Sequence, residues 1–109
     1  YNLTIKADKS SPQVEGSTIT FKILSNNLDL NDSLCRFFVS GRAATDWGTS
    51  PSLVWITNNS DIGTNKIEVQ VKNMNSPNEN KYIYLANMSY DIGLLIKDNE
   101  DIPTAIKFA

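Results

Sequence analysis

The stretch "STITFKIL", residues 17–24, sets the pattern on which the fold prediction rests. Ile19, Phe21 and Ile23 alternate with polar or charged residues. Successive side chains of a β-strand point to opposite faces, so this period of two predicts a strand with one buried and one wet face. The stretch "NKIEVQVK", residues 65–72, repeats the pattern.

Further short apolar runs lie between segments rich in turn-forming residues. They are "LTIKA" (3–7), "CRFFVS" (35–40), "LVWIT" (53–57), "KYIYLA" (81–86) and "IGLLIK" (92–97). We find no convincing helical pattern. Short β-runs at this spacing predict an all-β, immunoglobulin-like antiparallel β-sandwich of about seven strands.

Composition restricts the classes of function. A chain of 109 residues with 40% apolar residues suits one domain with its own core. The net charge of -2 argues against a nucleic-acid partner, which favours a basic face. No window approaches the run of about 18 apolar residues that a membrane span needs, so we predict no membrane insertion.

The chain has no histidine and one cysteine, Cys35. Without histidine, the common triads, the commonest general base and ordinary zinc sites are excluded. We therefore predict that the domain is not an enzyme and that Cys35 is a small buried apolar residue. Metal binding through oxygen alone remains open, which means calcium or magnesium.

Acidic residues follow the last apolar run, in "GLLIKDNEDIP" at residues 93–103. Carboxylates this close together repel one another, so they are either fully solvated or neutralised by a cation. Two other predicted loops carry a carboxylate each, Glu15 in "VEGST" and Asp46 in "AATDWG". As turn residues, both have a purely structural alternative role.

Taken in order, these motifs resemble the Calx-beta domain family, a β-sandwich repeat of sodium–calcium exchangers, integrin β4 and bacterial adhesins. The matching residues are Val14, Glu15, Gly16, Thr18 and Phe21 near the first turn, Asp46 and Trp47 in the alanine-rich loop, Glu79, Asn80, Leu85 and Asn87 around a late strand, and Ile96, Asp98, Asn99 and Glu100 at the close.

The resemblance implies calcium at one end of the sandwich. The ligand candidates that it implies are Glu15, Asp46, Asp98, Asn99 and Glu100. Where calcium-binding members carry paired aspartates after the fifth strand, this chain has "VKNMNS". Calcium affinity falls as the charge of the ligand set falls, so we expect calcium to bind weakly.

The acidic cluster and Pro103 suggest a domain boundary. We expect residues 1–103 to form a Calx-beta-like domain, and 104–109 to be the start of a following domain or a C-terminal strand. The ending "PTAIKFA" echoes the opening "LTIKA", as in a tandem array.

The expected function is a non-enzymatic structural or binding module of a larger surface, adhesive or virion protein, whose partners are neighbouring domains of the same chain. Its expected location is extracellular, on a cell surface or in a virion.

An alternative function is binding of carbohydrate or a protein partner through exposed aromatic residues, as in an adhesin or a phage decoration or tail protein. Trp47, in a predicted loop, is the candidate ligand-binding residue. Trp55 lies in the apolar run "LVWIT", where core packing is the favoured interpretation.

Overall fold

The computed structural model describes residues 3–26, 29–74, 84–97 and 103–107. These residues form strands in two sheets, with two single-turn 3-10 helices and no α-helix. The strands are β1 (Leu3–Ala7), β2 (Gln13–Val14), β3 (Thr18–Ser25), β4 (Ser33–Val39), β5 (Arg42–Ala43), β6 (Ser52–Ile56), β7 (Gly63–Asn73), β8 (Tyr84–Lys97) and β9 (Pro103–Lys107). The prediction of an all-β sandwich is confirmed.

The smaller sheet has the strand order β1-β3-β6, and the larger has β2-β8-β7-β4-β5, with β9 paired to β8. In the part of the chain that the structure describes, no helix is long and apolar enough to cross a membrane.

The core lies between the two sheets, and the period of two decides which residues enter it. Ile19, Phe21 and Ile23 of β3 are buried, whereas Lys22 and Leu24 between and beside them are exposed. Strands β4 and β7 alternate in the same way and supply the opposite wall. Each sheet thereby removes one apolar face from water by covering the other.

Three aromatic side chains join the sheets at the centre. Tyr90 of β8 meets Phe21 edge-on with ring centroids 5.5 Å apart, and meets Trp55 edge-on at 6.2 Å. The Tyr90 hydroxyl donates to the Lys9 carbonyl at 2.7 Å, so the ring is fully buried while its polar end is satisfied. Trp55 is 8% exposed, which confirms that it packs in the core.

The sequence predicted two late strands, 81–86 and 92–97, where the structure has the single long strand β8. The polar residues between the two apolar runs do not break the strand. Ala86, Met88 and Tyr90 pair with inward residues of β7, while Asn87 and Ser89 occupy the alternate, exposed positions. The alternation therefore continues through the segment that looked like a loop.

Strands β2 and β5 were not predicted, whereas β9 overlaps the segment 104–109, for which the sequence offered a C-terminal strand or the start of a following domain. Strand β2 also breaks the antiparallel expectation, because it lies parallel to β8 with Gln13 opposite Ile92. No hairpin joins these two segments, so nothing forces them to run in opposite directions. Strand β9 pairs antiparallel with the end of β8. The assignment of residues 104–109 to a following domain or a C-terminal strand stays a prediction.

The segment "TNNSDIGTN" (57–65), one of the segments rich in turn-forming residues, contains a 3-10 helix, Asn59–Asp61. Asn58 caps it, accepting from the backbone N–H of Ser60, and the Asp61 carboxylate accepts from the Asn58 N–H at 2.9 Å. The Asn65 side-chain amide donates to the Asp61 carbonyl at 2.7 Å. Buried polar groups are thus paired within the loop, which fixes the entry into β7.

The outer face of the smaller sheet is unusually apolar at β6. Val54 is 60% and Ile56 is 71% exposed, since both take the outward positions of a strand whose inward residues are Leu53 and Trp55.

We predict that Tyr90→Phe destabilises the domain by about 1–2 kcal/mol, the net value of one buried hydrogen bond together with the cost of leaving the Lys9 carbonyl unpaired. Urea denaturation followed by far-UV circular dichroism measures this. Tyr90→Leu, which also removes the edge-on ring contacts, should cost clearly more. Equal stability of wild type and Tyr90→Phe would contradict the role of the hydroxyl.

Candidate functional site

The loop after β5 is fastened along the free side of β4. Cys35 and Gly48 exchange two backbone hydrogen bonds of 2.7 and 3.0 Å. The Ala44 N–H donates to the Phe37 carbonyl at 2.8 Å, and the Phe37 N–H donates to the Thr45 hydroxyl at 3.0 Å. Residues 44–48 therefore hold a fixed position, and Trp47 comes to lie beside Arg36.

Trp47 is partly buried, and two cations lie against its ring. The Nζ atom of Lys72 is 4.0 Å from the ring centroid, and the Cζ atom of Arg36 is 4.5 Å from it. Both distances are within the range of a cation–π interaction. Trp47, which the sequence predicted to be an exposed ligand-binding aromatic residue, is thus part of a mixed aromatic and cationic cluster.

Arg36 is held in place by several contacts. It stands opposite Gln70 in the register of β4 and β7. Its Nε and Nη2 atoms donate to Gln70 Oε1 at 3.2 and 2.6 Å. Its guanidinium also lies 5.1 Å from the ring centroid of Phe38. These contacts orient a side chain that would otherwise sample many rotamers.

No described carboxylate forms a direct ion pair with this cluster. Among the described residues the salt bridge is that of Lys66 with Glu68, at 3.7 Å. Arg36 and Lys72 therefore have no described carboxylate within 4.0 Å, although both lie against one indole. Two cations held against one indole repel each other, and the ring only partly compensates.

A shallow depression of about 310 Å³ lies next to the cluster, lined by Arg36, Ala43, Ala44, Thr45 and Asp46. Asp46 is exposed, and its Oδ1 atom accepts a hydrogen bond from the backbone N–H of Trp47 at 2.8 Å. The depression thus offers a fixed cation, a hydroxyl and a carboxylate within one small concave surface.

Glu15 lies in a different part of the molecule. It precedes Gly16, whose φ of +89° suits a tight turn closed by the Ser17 N–H and the Val14 carbonyl at 3.1 Å. The Glu15 N–H donates to the Gly93 carbonyl at 2.9 Å, which places the residue beside β8. Its Oε2 atom is buried and has no hydrogen-bond partner among the described residues.

The structure does not bring Glu15 and Asp46 together. Glu15 lies beside Gly93 of β8, next to the point where Ile92 pairs with Gly63 at the start of β7. Asp46 lies beside Arg36 of β4, which pairs with Gln70 further along β7. Gly63 and Gln70 are seven residues apart on β7, which corresponds to a distance on the order of 20 Å along the strand. Because calcium–oxygen distances are about 2.3–2.6 Å, one ion cannot take both carboxylates in this arrangement.

The remaining predicted ligands, Asp98, Asn99 and Glu100, lie outside the described residues. Within the described ranges no group of three or more acidic, cysteine or histidine side chains is close enough to hold a metal ion.

Comparison with protein-family models and with curated proteins gave no match for this chain.

Sequence reasoning identified Trp47 but missed Arg36 and Lys72. A signal for them was present, because Arg36 takes an outward position between buried Cys35 and Phe37 in "CRFFV". Lys72 likewise follows the buried Val71 at the end of "VQVK". What the alternation could not show is that the two side chains meet over the same ring, since that depends on the register of β4 with β7 and on where the loop docks.

Cys35 is 2% exposed, which confirms the prediction of a buried residue. Burial raises the pKa of its thiol from 9.0 to about 11. Burial also raises the pKa of Tyr90, and the negative charge of Asp8 raises it further. A thiol held in the neutral form is a poor nucleophile, so the structure gives Cys35 a packing role.

We predict that the domain loses stability between pH 9 and pH 11, because the unfolded chain releases the Cys35 proton at a lower pH than the folded chain does. The raised pKa of Cys35 contributes about 3 kcal/mol to the free energy of unfolding, and this contribution is complete below pH 9. Urea titrations of wild type and Cys35→Ala across this pH range measure it. The difference in stability between the two proteins should shrink as the pH rises, and parallel curves would contradict the assignment.

Proposed function

We propose that the domain is a non-enzymatic structural module of a larger extracellular, cell-surface or virion protein, of Calx-beta type, rigidified by weak calcium binding at one end of the sandwich. Its partners are the neighbouring domains of the same chain. The observation that carries the proposal is the buried Oε2 atom of Glu15 beside β8, which has no hydrogen-bond partner among the residues that the structure describes.

An ionised carboxylate oxygen that is removed from water without a partner is costly. A cation beside it offsets that cost, and calcium takes its ligands from carboxylate, amide and carbonyl oxygens. Glu15 is therefore the described residue that fits a calcium ligand. In the proposed site it acts with Asp98, Asn99 and Glu100, and Asp46 is left out because it lies too far away.

Calcium at this position acts on the junction between domains. Glu15 is tied to Gly93, and β8 continues from there to Lys97 before the chain returns as β9. A bound ion links the turn before β3 to the end of β8 and so restricts the angle at which the chain leaves the sandwich. Because it binds only the folded state, it also stabilises the fold by mass action.

We expect calcium at about ten times its Kd to stabilise the domain by about 1.4 kcal/mol, which raises Tm by several degrees. The measurement is a thermal melt in EGTA and in millimolar calcium, with magnesium as the control ion. Glu15→Gln should abolish the calcium response, since it removes the carboxylate that binds the ion. Asp46→Asn, which removes a carboxylate at the distant loop, should keep the full response. A response lost in Asp46→Asn and kept in Glu15→Gln would contradict the proposed ligand set.

A second candidate function is binding of carbohydrate or a protein surface through the Trp47 cluster. The observation that favours it is the pair of cations held against one partly buried indole beside a depression. Aromatic and arginine side chains are the residue types that contribute most at binding surfaces.

For this second candidate we predict that Trp47→Ala loses binding on a glycan array that carries neutral and acidic oligosaccharides. Ile56→Ser is the matched control, because Ile56 is 71% exposed on the opposite sheet and its loss leaves the Trp47 cluster intact. The control should bind the same glycans as the wild type. Identical array profiles for Trp47→Ala and Ile56→Ser would contradict a role for Trp47.

A further inference from the structure

The depression beside Trp47 combines groups that suit one kind of ligand. Arg36, Thr45 and Asp46 line it and supply a positive charge, a hydroxyl and a carboxylate, while Lys72 lies outside the lining, against the Trp47 ring. We propose that this surface binds an acidic sugar, with the sugar carboxylate at Arg36, the sugar hydroxyls at Asp46 and Thr45, and Lys72 adding positive charge nearby. The proposal rests on the second candidate function above and names its substrate class; it is independent of calcium.

Charge is the first argument. Arg36 and Lys72 lie 4.5 and 4.0 Å from one ring centroid, and neither has a described carboxylate within ion-pair distance. An anion bound at Arg36 offsets the excess positive charge of this cluster. The guanidinium has five N–H groups, of which Gln70 takes only two contacts, so donors remain for a carboxylate.

The second argument separates a sugar from an acidic peptide. Asp46 lies in the same depression and is exposed. Its Oδ1 atom accepts a hydrogen bond from the backbone N–H of Trp47, which leaves Oδ2 as an acceptor for a ligand. An acidic side chain of a peptide offers a carboxylate but no hydroxyl donor for Asp46. A uronic acid instead brings hydroxyl donors together with its single carboxylate, and those hydroxyls suit Asp46. The Thr45 hydroxyl already accepts from the Phe37 N–H, so its own hydrogen is available for donation.

Size and rigidity agree with this assignment. A volume of about 310 Å³ is at the lower end of the range for ligand sites, about 300–1,000 Å³, and suits one sugar unit of a longer chain. The site is also built before the ligand arrives. Backbone bonds between residues 44–48 and β4 fix the loop, and Gln70 fixes Arg36, so little side-chain entropy is lost on binding.

The test is isothermal titration of the domain with trigalacturonate in a buffer without calcium, and with the same trimer after methyl esterification. Esterification removes the charge and keeps the sugar ring and its hydroxyls. We expect the acid to bind at least tenfold more tightly than the ester, and to bind several-fold more weakly when NaCl is raised from about 50 to about 500 mM, because salt screens exposed charges.

Arg36→Gln should weaken binding of the acid roughly tenfold, the effect of losing one charge-assisted contact, and Lys72→Gln should weaken it several-fold, because it lowers the positive charge near the site. Lys22→Gln is the matched control. It lowers the net charge by the same amount, lies on the exposed face of the other sheet and should bind as the wild type does. Circular dichroism and Tm confirm that each variant is folded, and Lys72→Gln answers the question by itself if Arg36→Gln fails to fold.

Each other outcome overturns part of the argument. If the acid and the ester bind equally well and Trp47→Ala binds neither, the acidic specificity is overturned and sugar binding stays in place. Equal affinity of Lys72→Gln and Lys22→Gln for the acid overturns the role of the cation pair. No binding of either trimer at 10 mM overturns this inference, and a glycan array without any signal overturns the second candidate function as well.

Discussion

The contact of Tyr90 with Phe21 and Trp55 is the interaction on which the rest of the structure depends. Tyr90 belongs to the larger sheet, and the other two rings belong to the smaller one. Burying these rings against each other removes a large apolar area from water, and their edge-on geometry adds specificity. The hydrogen bond to the Lys9 carbonyl also fastens the segment that crosses from β1 in one sheet to β2 in the other.

The same alternation that fills the core also decides the outer surfaces. When Cys35 and Phe37 point inward, Arg36 must point outward, and the same holds for Lys72 next to Val71. The register of β4 with β7 then brings the two cations to one region. Their interaction with Trp47 needs a further condition, which is the docking of residues 44–48 along β4. The chemistry of the outer face is therefore a consequence of how the core is packed.

The two candidate sites are separated in space and in physical character. At Glu15 a buried oxygen has no hydrogen-bond partner among the described residues, which favours positive charge beside it. At Arg36 and Lys72 the described part of the chain supplies two cations without a carboxylate in ion-pair range, which favours negative charge. With on the order of 20 Å between their levels on the strands, screening at physiological salt makes the two sites electrostatically independent. A structural ion and a bound sugar can therefore act in one module without competing.

The alternation in the sequence determined by itself that the domain is all-β, that Ile19, Phe21 and Ile23 are core residues, and that Cys35 is buried, because the side-chain period of a strand is a local property. It could not show that β8 is one long strand, since Asn87 and Ser89 resemble loop residues until their outward positions are known. Nor could it show that β2 is parallel to β8. The separation of Glu15 from Asp46 and the meeting of Arg36 with Trp47 were decided by the tertiary structure alone. Those distances depend on strand register and loop docking, which are set by contacts between residues far apart in the chain.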